Sequence, residues 1–346
     1  MILWRYLLPG KILLSIAIPT FNRADQLAFC LNSILEQSSP LNDKIEIVIS
    51  NNNSSDATSE VIRKYARKFK HFRYVEQARK LSIEENANAV ARLAKGKFLW
   101  LFGDDDYLEP NGLKIVVDTI KESDSHFYIL NRSRANDDLS KKIVENWMDV
   151  PDELILDYDT LLSFVEEWGF ISIIGFYNAS VFNRKMYLRV DAEKYYNLFL
   201  YAHLGAHFEA FSRSPVKLVG YPVFCHRTMI QDTSRRFDSD INNQTFSGVR
   251  AFDDGVGMAL FFDKLLEIGA IEARNIAVSR EFINKRRSLL WHIMDRIIFC
   301  EKCNAVTEEG RLAYKSFLDK FDWDSLDEIF VSKRDAVLAV AQEAER

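Results

Sequence analysis

Apolar positions follow two different periods along the first third of the chain. Short apolar runs of the kind that suits buried strands are Ile12–Ile18, Lys44–Ser50, Phe72–Glu76 and Phe98–Phe102. Between these runs apolar residues recur at helical spacing, first as Leu27, Leu31, Ile34 and Leu35. The β-α-β-α-β-α-β order predicts a mostly parallel, doubly wound α/β sheet flanked by helices.

Polar loops follow three of the four predicted strands. The loops are Pro19–Arg23, Asn51–Ser55 and Asp104–Asp106. In an open α/β sheet, ligands bind outside the carboxyl ends of the strands. We therefore expect the three loops to meet at one edge of the sheet and to form a binding site there.

Three consecutive carboxylates, Asp104–Asp106, follow the last of these strands. Adjacent carboxylates repel one another, and an unpaired buried ion costs several kcal/mol, so a counter-charge is expected. Mg²⁺ or Mn²⁺ with a bound diphosphate would supply it. The alternative is an acidic turn that caps the next helix, with Asp106 ahead of Pro110.

The loop after the first strand excludes several nucleotide-binding classes. Pro19–Arg23 contains no G-x-G-x-x-G, which disfavours a dinucleotide-binding dehydrogenase. The chain also lacks the P-loop pattern G-x-x-x-x-G-K-[ST] and the zinc pattern H-E-x-x-H.

Composition narrows the classes of partner and compartment. With 346 residues, 48% of them apolar, the chain can bury a large core. A formal net charge of −5 disfavours nucleic acid as a partner. Four scattered cysteines give no disulfide framework, and Met1–Pro9 lacks the features of a signal peptide. These features predict a cytoplasmic protein, which could also contact the inner face of the plasma membrane.

Four segments, in this order, resemble the family 2 glycosyltransferases with the GT-A fold. The segments are Ser15–Arg23, Glu46–Thr58, Asn86–Gly96 and Phe98–Pro110. The sequence Trp-Leu-Phe-Gly-Asp-Asp-Asp within the last segment is similar to the corresponding sequence of bacterial surface-polysaccharide and O-antigen sugar transferases, including abequosyltransferase-like proteins.

The resemblance implies transfer of a sugar from a nucleoside-diphosphate sugar to a glycan or lipid-linked oligosaccharide, with Mn²⁺ or Mg²⁺. Asp105 aligns best with the family's metal position, and Asp106 and His226 are the other predicted metal ligands. Asn51 stands where the family usually has an aspartate, and Gly103 where many members have the first Asp of the motif. The residues predicted to bind the nucleotide sugar are Pro19, Thr20, Asn22, Arg23, Asn51, Asn52, Asn53, Asn86, Asp104 and Arg227.

An inverting transferase needs a general base that takes the proton of the acceptor hydroxyl. The candidates are His203, Glu209 and Asp191, although a buried core histidine is the ordinary interpretation of His203. Likewise, Arg23 could clamp the phosphates or be a surface arginine. His226 and Arg227 could be an exposed pair at a strand end.

The predicted GT-A domain covers residues 1–245, with a nucleotide-sugar part at 12–133 and an acceptor part at 134–245. Residues 246–346 are predicted to be helical, with apolar stripes that could pack into the core or form a homodimer. Two rival functions remain open at this point. One is a sugar-phosphate nucleotidyltransferase, and the other is a non-catalytic glycan- or nucleotide-binding protein on the same fold.

Overall fold

The computed structural model describes residues 12–168, 171–196, 198, 203–228, 255–277, 289–302, 306–326 and 328–345. Within these ranges, no helix is both long and apolar enough to cross a membrane. The predicted boundary at residue 245 lies outside the described residues.

The first third of the chain alternates strands and helices as the pattern predicts. Strand β3 has the predicted bounds, and the other predicted strands differ by one or two residues at their ends. The elements are β1 Leu14–Thr20, α1 Ala24–Ser38, β2 Ile45–Asn51, α2 Thr58–Tyr65, β3 Phe72–Glu76, α3 Ile83–Leu93 and β4 Phe98–Leu101.

The middle of the chain adds further strands and short helices. They are β5 Tyr107–Leu108, α4 Gly112–Lys121, β6 Phe127–Ala135, β7 Lys142–Val144, β8 Ile155–Tyr158, α5 Leu161–Trp168, α6 Ile171–Ile174, β9 Ser180–Asn183, α7 Arg184–Tyr187, α8 His203–Phe211 and β10 Val216–Arg227.

All the strands given above belong to a single mixed sheet. Its order is β3-β2-β1-β4-β9-β6-β10-β5, with β7 on β6 and β8 on β10. Strands β1, β2, β3 and β4 run parallel to one another, and β6 runs parallel to β10. Strand β9 is antiparallel to both β4 and β6, so β4 and β6 point the same way. Six strands therefore share one direction, namely β1, β2, β3, β4, β6 and β10. The predicted mostly parallel α/β sheet is therefore confirmed.

Burial explains why these segments are strands. Every residue of β2 and β4 is buried, as expected for central strands that are covered on both faces. Helix α1 buries Leu27, Leu31 and Ile34 of the predicted apolar stripe together with Cys30, whereas Leu35 is partly buried. The same strands that form the core therefore bring their polar carboxyl ends to one edge.

The described residues form two compact units. The first comprises those within Met1–Asp159, Phe176–Val190 and Ser214–Asp232, and it contains the sheet. The second comprises those within Thr160–Gly175, Asp191–Arg213 and Thr233–Arg346. Its C-terminal part is helical, with α9 Gly255–Glu267, α10 Ala273–Ala277, α11 Leu289–Lys302, α12 Glu308–Leu318 and α13 Glu328–Ala344. The proposed boundary between functional domains stays a prediction.

Candidate active site

Backbone hydrogen bonds hold the polar strand ends side by side. The amide of Asn52 donates to the carbonyl of Thr20 at 2.9 Å, and the amide of Phe102 donates to Ala17 at 2.9 Å. The ends of β2 and β4 thus flank the end of β1, where Arg23 starts the first helix. Side chains from three separate chain segments therefore lie at one sheet edge.

Arg23 joins the first two carboxylates of the triplet. Its Nη1 donates to Asp104 Oδ1 and to Asp105 Oδ2, each at 2.7 Å. The Arg23 side chain is 22% exposed, whereas those of Asp104 and Asp105 are 7% and 9% exposed. The guanidinium is therefore a counter-charge for buried carboxylates, not a surface arginine.

The third carboxylate is held by the end of β10. Asp106 Oδ1 accepts the backbone amide of Arg227 at 2.9 Å and lies 3.2 Å from His226 Nδ1. His226 is thus paired with Asp106 and is not an exposed strand-end side chain, which was the alternative considered for it. The acidic-turn alternative is also wrong, because helix α4 begins after Asn111 and the three carboxylates face Arg23 and β10 instead.

Burial favours the neutral form of two of the three carboxyl groups. It raises the pKa of the Asp104 and Asp106 carboxyl groups, although Arg23 and His226 respectively oppose this. The nearby carboxylates, Asp104 first, raise the pKa of Arg23. The ionised form of Asp104 and Asp106 would therefore gain from a further cation.

Gly103, immediately before the triplet, is held by an asparagine that the sequence analysis did not single out. Its amide donates to Asn178 Oδ1 at 2.7 Å, and Asn178 is 2% exposed. A Cβ at Gly103 would lie 3.1 Å from that oxygen and 3.2 Å from Asp105 Oδ1. A side chain at this position would crowd both groups, which accounts for glycine before the triplet.

The end of β2 differs from the acidic end of β4, because the side chains of its asparagines form hydrogen bonds with other side chains and with the backbone. Asn51 Nδ2 donates to Ser59 Oγ at 3.0 Å and to Glu76 Oε2 at 2.6 Å. Asn52 exchanges two hydrogen bonds with the backbone of Leu81, at 2.9 and 2.7 Å. These side chains are buried and fix the course of the loops.

Asn86 on helix α3 and two loop asparagines with left-handed backbone conformation also shape this edge of the sheet. Asn86 Oδ1 accepts from Ser50 Oγ at 2.7 Å, and its side chain is buried. Asn22 and Asn53 have positive φ values of 50° and 59°, which asparagine tolerates better than most residues. Asn22 Oδ1 also accepts the Ser55 amide at 2.8 Å, so the β1 and β2 loops are tied together.

Aromatic rings support His226 from the other side. The Phe176 ring lies 4.7 Å from the His226 ring, between centroids. The Arg132 guanidinium lies 4.4 Å from both the Phe176 and the Trp147 rings, and Arg132 is buried. Nothing in the sequence pattern marked Arg132 or Phe176, since they become neighbours only when β6 and the segment before β9 pair.

The three predicted base candidates belong to the second compact unit. His203 is buried on α8, its ring lies 5.4 Å from the His207 ring, and burial lowers its pKa to about 3. Glu209 accepts from Tyr195 at 2.7 Å and pairs with Lys194 at 2.6 Å. Asp191 caps a short turn by accepting from the Glu193 amide. Their catalytic role stays a prediction.

The carboxylate triplet can be tested against the predicted metal. In the part of the chain that the structure describes, no three His, Cys, Asp or Glu side chains already form a metal-holding cluster. Mg²⁺, however, usually takes one or two protein carboxylates and completes its shell with substrate phosphates and water. Asp105 and Asp106 are neighbouring buried carboxylates, and burial raises the pKa of Asp106, so they fit such an ion.

Comparisons with known proteins follow the same segment. The profile of "Glycosyl transferase family 2" matches residues 15–186. An abequosyltransferase of Salmonella typhimurium is 34% identical over 145 residues, which are 41% of this chain and 43% of that protein. A chondroitin synthase of Escherichia coli is 26% identical over 40% of this chain and 20% of its own length. The matched region is thus less than half of either relative.

Solved structures extend the comparison over more of the chain. S. aureus TarS 1-349, solved in complex with UDP-GlcNAc, has a TM-score of 0.54 and covers 96% of this chain and 90% of that one. At 13% identity the likeness shows the fold alone. The fold agrees with the GT-A architecture, and through residues 15–186 the chain belongs to glycosyl transferase family 2.

Proposed function

We propose that this protein transfers a sugar from a nucleoside-diphosphate sugar to a glycan acceptor during the synthesis of a bacterial surface polysaccharide, with Mg²⁺ or Mn²⁺. One observation carries the proposal. Three buried carboxylates stand together at the end of β4, and burial raises the pKa of Asp104 and Asp106 although Arg23 and His226 oppose this. The sequence likeness to an abequosyltransferase and a chondroitin synthase supports the class of product.

The residues of the site have distinct roles in this mechanism. Asp105 and Asp106 would hold the cation, and His226 would orient Asp106 or add a ligand. When bound, the cation would stabilise the negative charge that develops on the leaving nucleoside diphosphate. Arg23 already donates to Asp104 and Asp105, so it fixes their orientation and places a positive charge beside the phosphates.

The polar loops at the ends of β1 and β2 would form the nucleoside side of the site. The hydrogen bonds of Asn22 and Asn52 preorganise these loops, so little ordering is needed when the donor binds. Buried Asn86 accepts a hydrogen bond from Ser50 Oγ in β2 and so helps to fix the loop that follows this strand. The general base is assigned here to none of the three candidates above.

The decisive experiment incubates the protein with UDP-, GDP-, CDP- and dTDP-sugars and measures donor hydrolysis with Mn²⁺, with Mg²⁺ and with EDTA. Cation-dependent release of one nucleoside diphosphate supports the proposal. Binding of a nucleotide without any turnover, tested with acceptor glycans as well, would favour a binding protein on this fold. Binding of no nucleotide would overturn both.

A further inference from the structure

The carboxyl ends of β1, β2 and β3 form a continuous polar edge. The strand order places β2 beside β1 and β3 beside β2, with Asn51 opposite Glu76 in the register. At a strand spacing of about 4.8 Å, the end of β3 lies roughly 10 Å from the end of β1. A donor whose diphosphate sits near Arg23 therefore directs its nucleoside along this edge.

The other direction along the sheet offers less for a base to bind. Beyond β4 comes β9, which is antiparallel and brings Asn178 and Phe176 to this edge. The Asn178 oxygen already accepts from Gly103, and Phe176 contacts Arg132 and His226. Hydrogen-bonding groups for a nucleobase are thus concentrated at β2 and β3.

Asn51 is buried and its amide hydrogens are already engaged. They go to Ser59 Oγ and to Glu76 Oε2, while Asn51 Oδ1 accepts the Ser54 amide at 3.3 Å. A nucleobase that used these groups would have to break bonds that hold the loop. Asn51 is therefore a poor candidate for direct contact with a base.

Glu76 has the opposite properties. It is exposed, and Asn51 fixes its Oε2 with a charge-assisted hydrogen bond of 2.6 Å. Among the residues that the structure describes, none forms a hydrogen bond with its Oε1. The carboxylate is thus oriented by a buried amide and has an acceptor oxygen available at the polar edge.

From this geometry we infer that Glu76 reads the donor nucleobase by accepting a hydrogen bond from an N–H group on the edge of the base. Glu76 is then the specificity-determining residue, and Asn51 is a positioning residue that acts through it. This inference rests on the proposed use of a nucleotide-sugar donor.

The test measures binding of UDP, GDP, CDP and dTDP by calorimetry with Mn²⁺, with inorganic diphosphate as a ligand that has no base. Glu76→Gln keeps the size and an acceptor oxygen but removes the charge. It should weaken the preferred nucleotide by about tenfold to a hundredfold, the worth of a hydrogen bond to a charged group. Inorganic diphosphate should bind as it does to the wild type.

Glu60→Gln is the matched control, because Glu60 has a 66% exposed side chain whose partner is Arg63. It removes the same charge from the same unit and should leave nucleotide binding unchanged. If Glu76→Gln binds all four nucleotides as the wild type does, the inference is overturned. If the wild type binds inorganic diphosphate but no nucleotide, the proposed donor class fails first.

Exchanging the side chains of Asn51 and Glu76 distinguishes direct recognition of the nucleobase from positioning of the residue that recognises it. Asn51→Asp alone places two carboxylates together and should lower both stability and nucleotide affinity. Asn51→Asp combined with Glu76→Gln restores the hydrogen bond, so the melting temperature should recover while the affinity stays low. Recovery of full affinity in the double variant would assign the reading to position 51 and refute the inference.

Discussion

Two groups of buried titratable side chains, the carboxylates Asp104–Asp106 and the histidines of α8, respond oppositely to burial. Burial raises the pKa of Asp104 and Asp106, and it lowers the pKa of His203 and His207. The carboxylates face Arg23 and His226, which oppose this effect of burial only in part. Both histidines lie on α8, and burial has the largest effect on the pKa of each.

The difference shows that burial of an ionisable group does not by itself mark a site. Two neutral histidines can remain buried at neutral pH because the fold does not need their charge. The buried carboxylates at the strand end, in contrast, would be stabilised in their ionised form by a further cation. Incomplete compensation is therefore the property that distinguishes the candidate active site from the histidine pair.

The largest expected effect comes from removing a carboxylate of the triplet. Asp105→Ala should lower cation-dependent sugar transfer or donor hydrolysis by at least about a hundredfold, since the transition-state charge loses its cation. Asp118→Ala is the control, because Asp118 lies on α4 and pairs with the exposed Lys114. Steady-state rates at saturating Mn²⁺ measure the effect, and full activity in Asp105→Ala would refute the metal assignment.

Removing the positive charge of Arg23 tests how far it stabilises the carboxylates of Asp104 and Asp105. Arg23→Met leaves Asp104 and Asp105 without their guanidinium and should cost about 2–3 kcal/mol of unfolding free energy, less than for a fully buried pair because Arg23 is partly exposed. Thermal melts in EDTA and in Mn²⁺ should show a larger rise with Mn²⁺ than in the wild type.

Arg63→Met is the control for this variant, because Arg63 pairs only at the surface with Glu60 at 3.1 Å. Its melting temperature should be close to that of the wild type in both buffers. An Arg23→Met protein as stable as the wild type in EDTA would show that the triplet does not carry excess charge.

The histidine pair predicts acid sensitivity with a definite sign. The pKa of His203 is lowered to about 3, so below the ordinary value near 6.5 the unfolded chain binds a proton that the folded chain does not. The stability due to His203 is nearly full at pH 7.5 and falls by about 2 kcal/mol between that pH and pH 5. His203→Leu should therefore lose less stability than the wild type over this range.

Urea unfolding at pH 7 and at pH 5 measures this difference. At pH 7 the variant should lie within about 1.5 kcal/mol of the wild type, since the substitution is close in volume. Equal loss of stability in the two proteins on acidification would mean that His203 is protonated inside the fold. A base with a pKa near neutrality would then be available on α8, which would reopen its catalytic role.

The sequence allowed the sheet and its polar edge to be predicted because both depend on local patterns. Apolar runs marked β1 to β4, and the loops after them contain the acidic triplet and the asparagines. Contacts that need long-range pairing were not predictable, as with Asn178 on Gly103 and Phe176 on His226. Nor did the pattern show that the amide group of Asn51 would be engaged in hydrogen bonds within the protein, or that it would orient the exposed Glu76 carboxylate.

The smallest effect is expected from adding one negative charge beside the triplet. The Asn178 oxygen and Asp105 Oδ1 both lie within 3.2 Å of the position of a Cβ at Gly103. Asn178→Asp keeps an acceptor for the Gly103 amide but adds a fourth carboxylate, which should cost about 1–2 kcal/mol at this separation. Bound Mn²⁺ should recover part of that loss, because the added charge also attracts the cation.

Asn183→Asp is the matched control for the added charge. Asn183 caps α7 by accepting the Met186 amide, and aspartate caps helices as well as asparagine does. Its melting temperature should not respond to Mn²⁺ differently from that of the wild type. If Asn178→Asp and Asn183→Asp behave alike in EDTA, a fourth charge at the triplet costs nothing. The triplet would then not carry an excess of negative charge, and the contrast with the histidine pair would no longer identify the site.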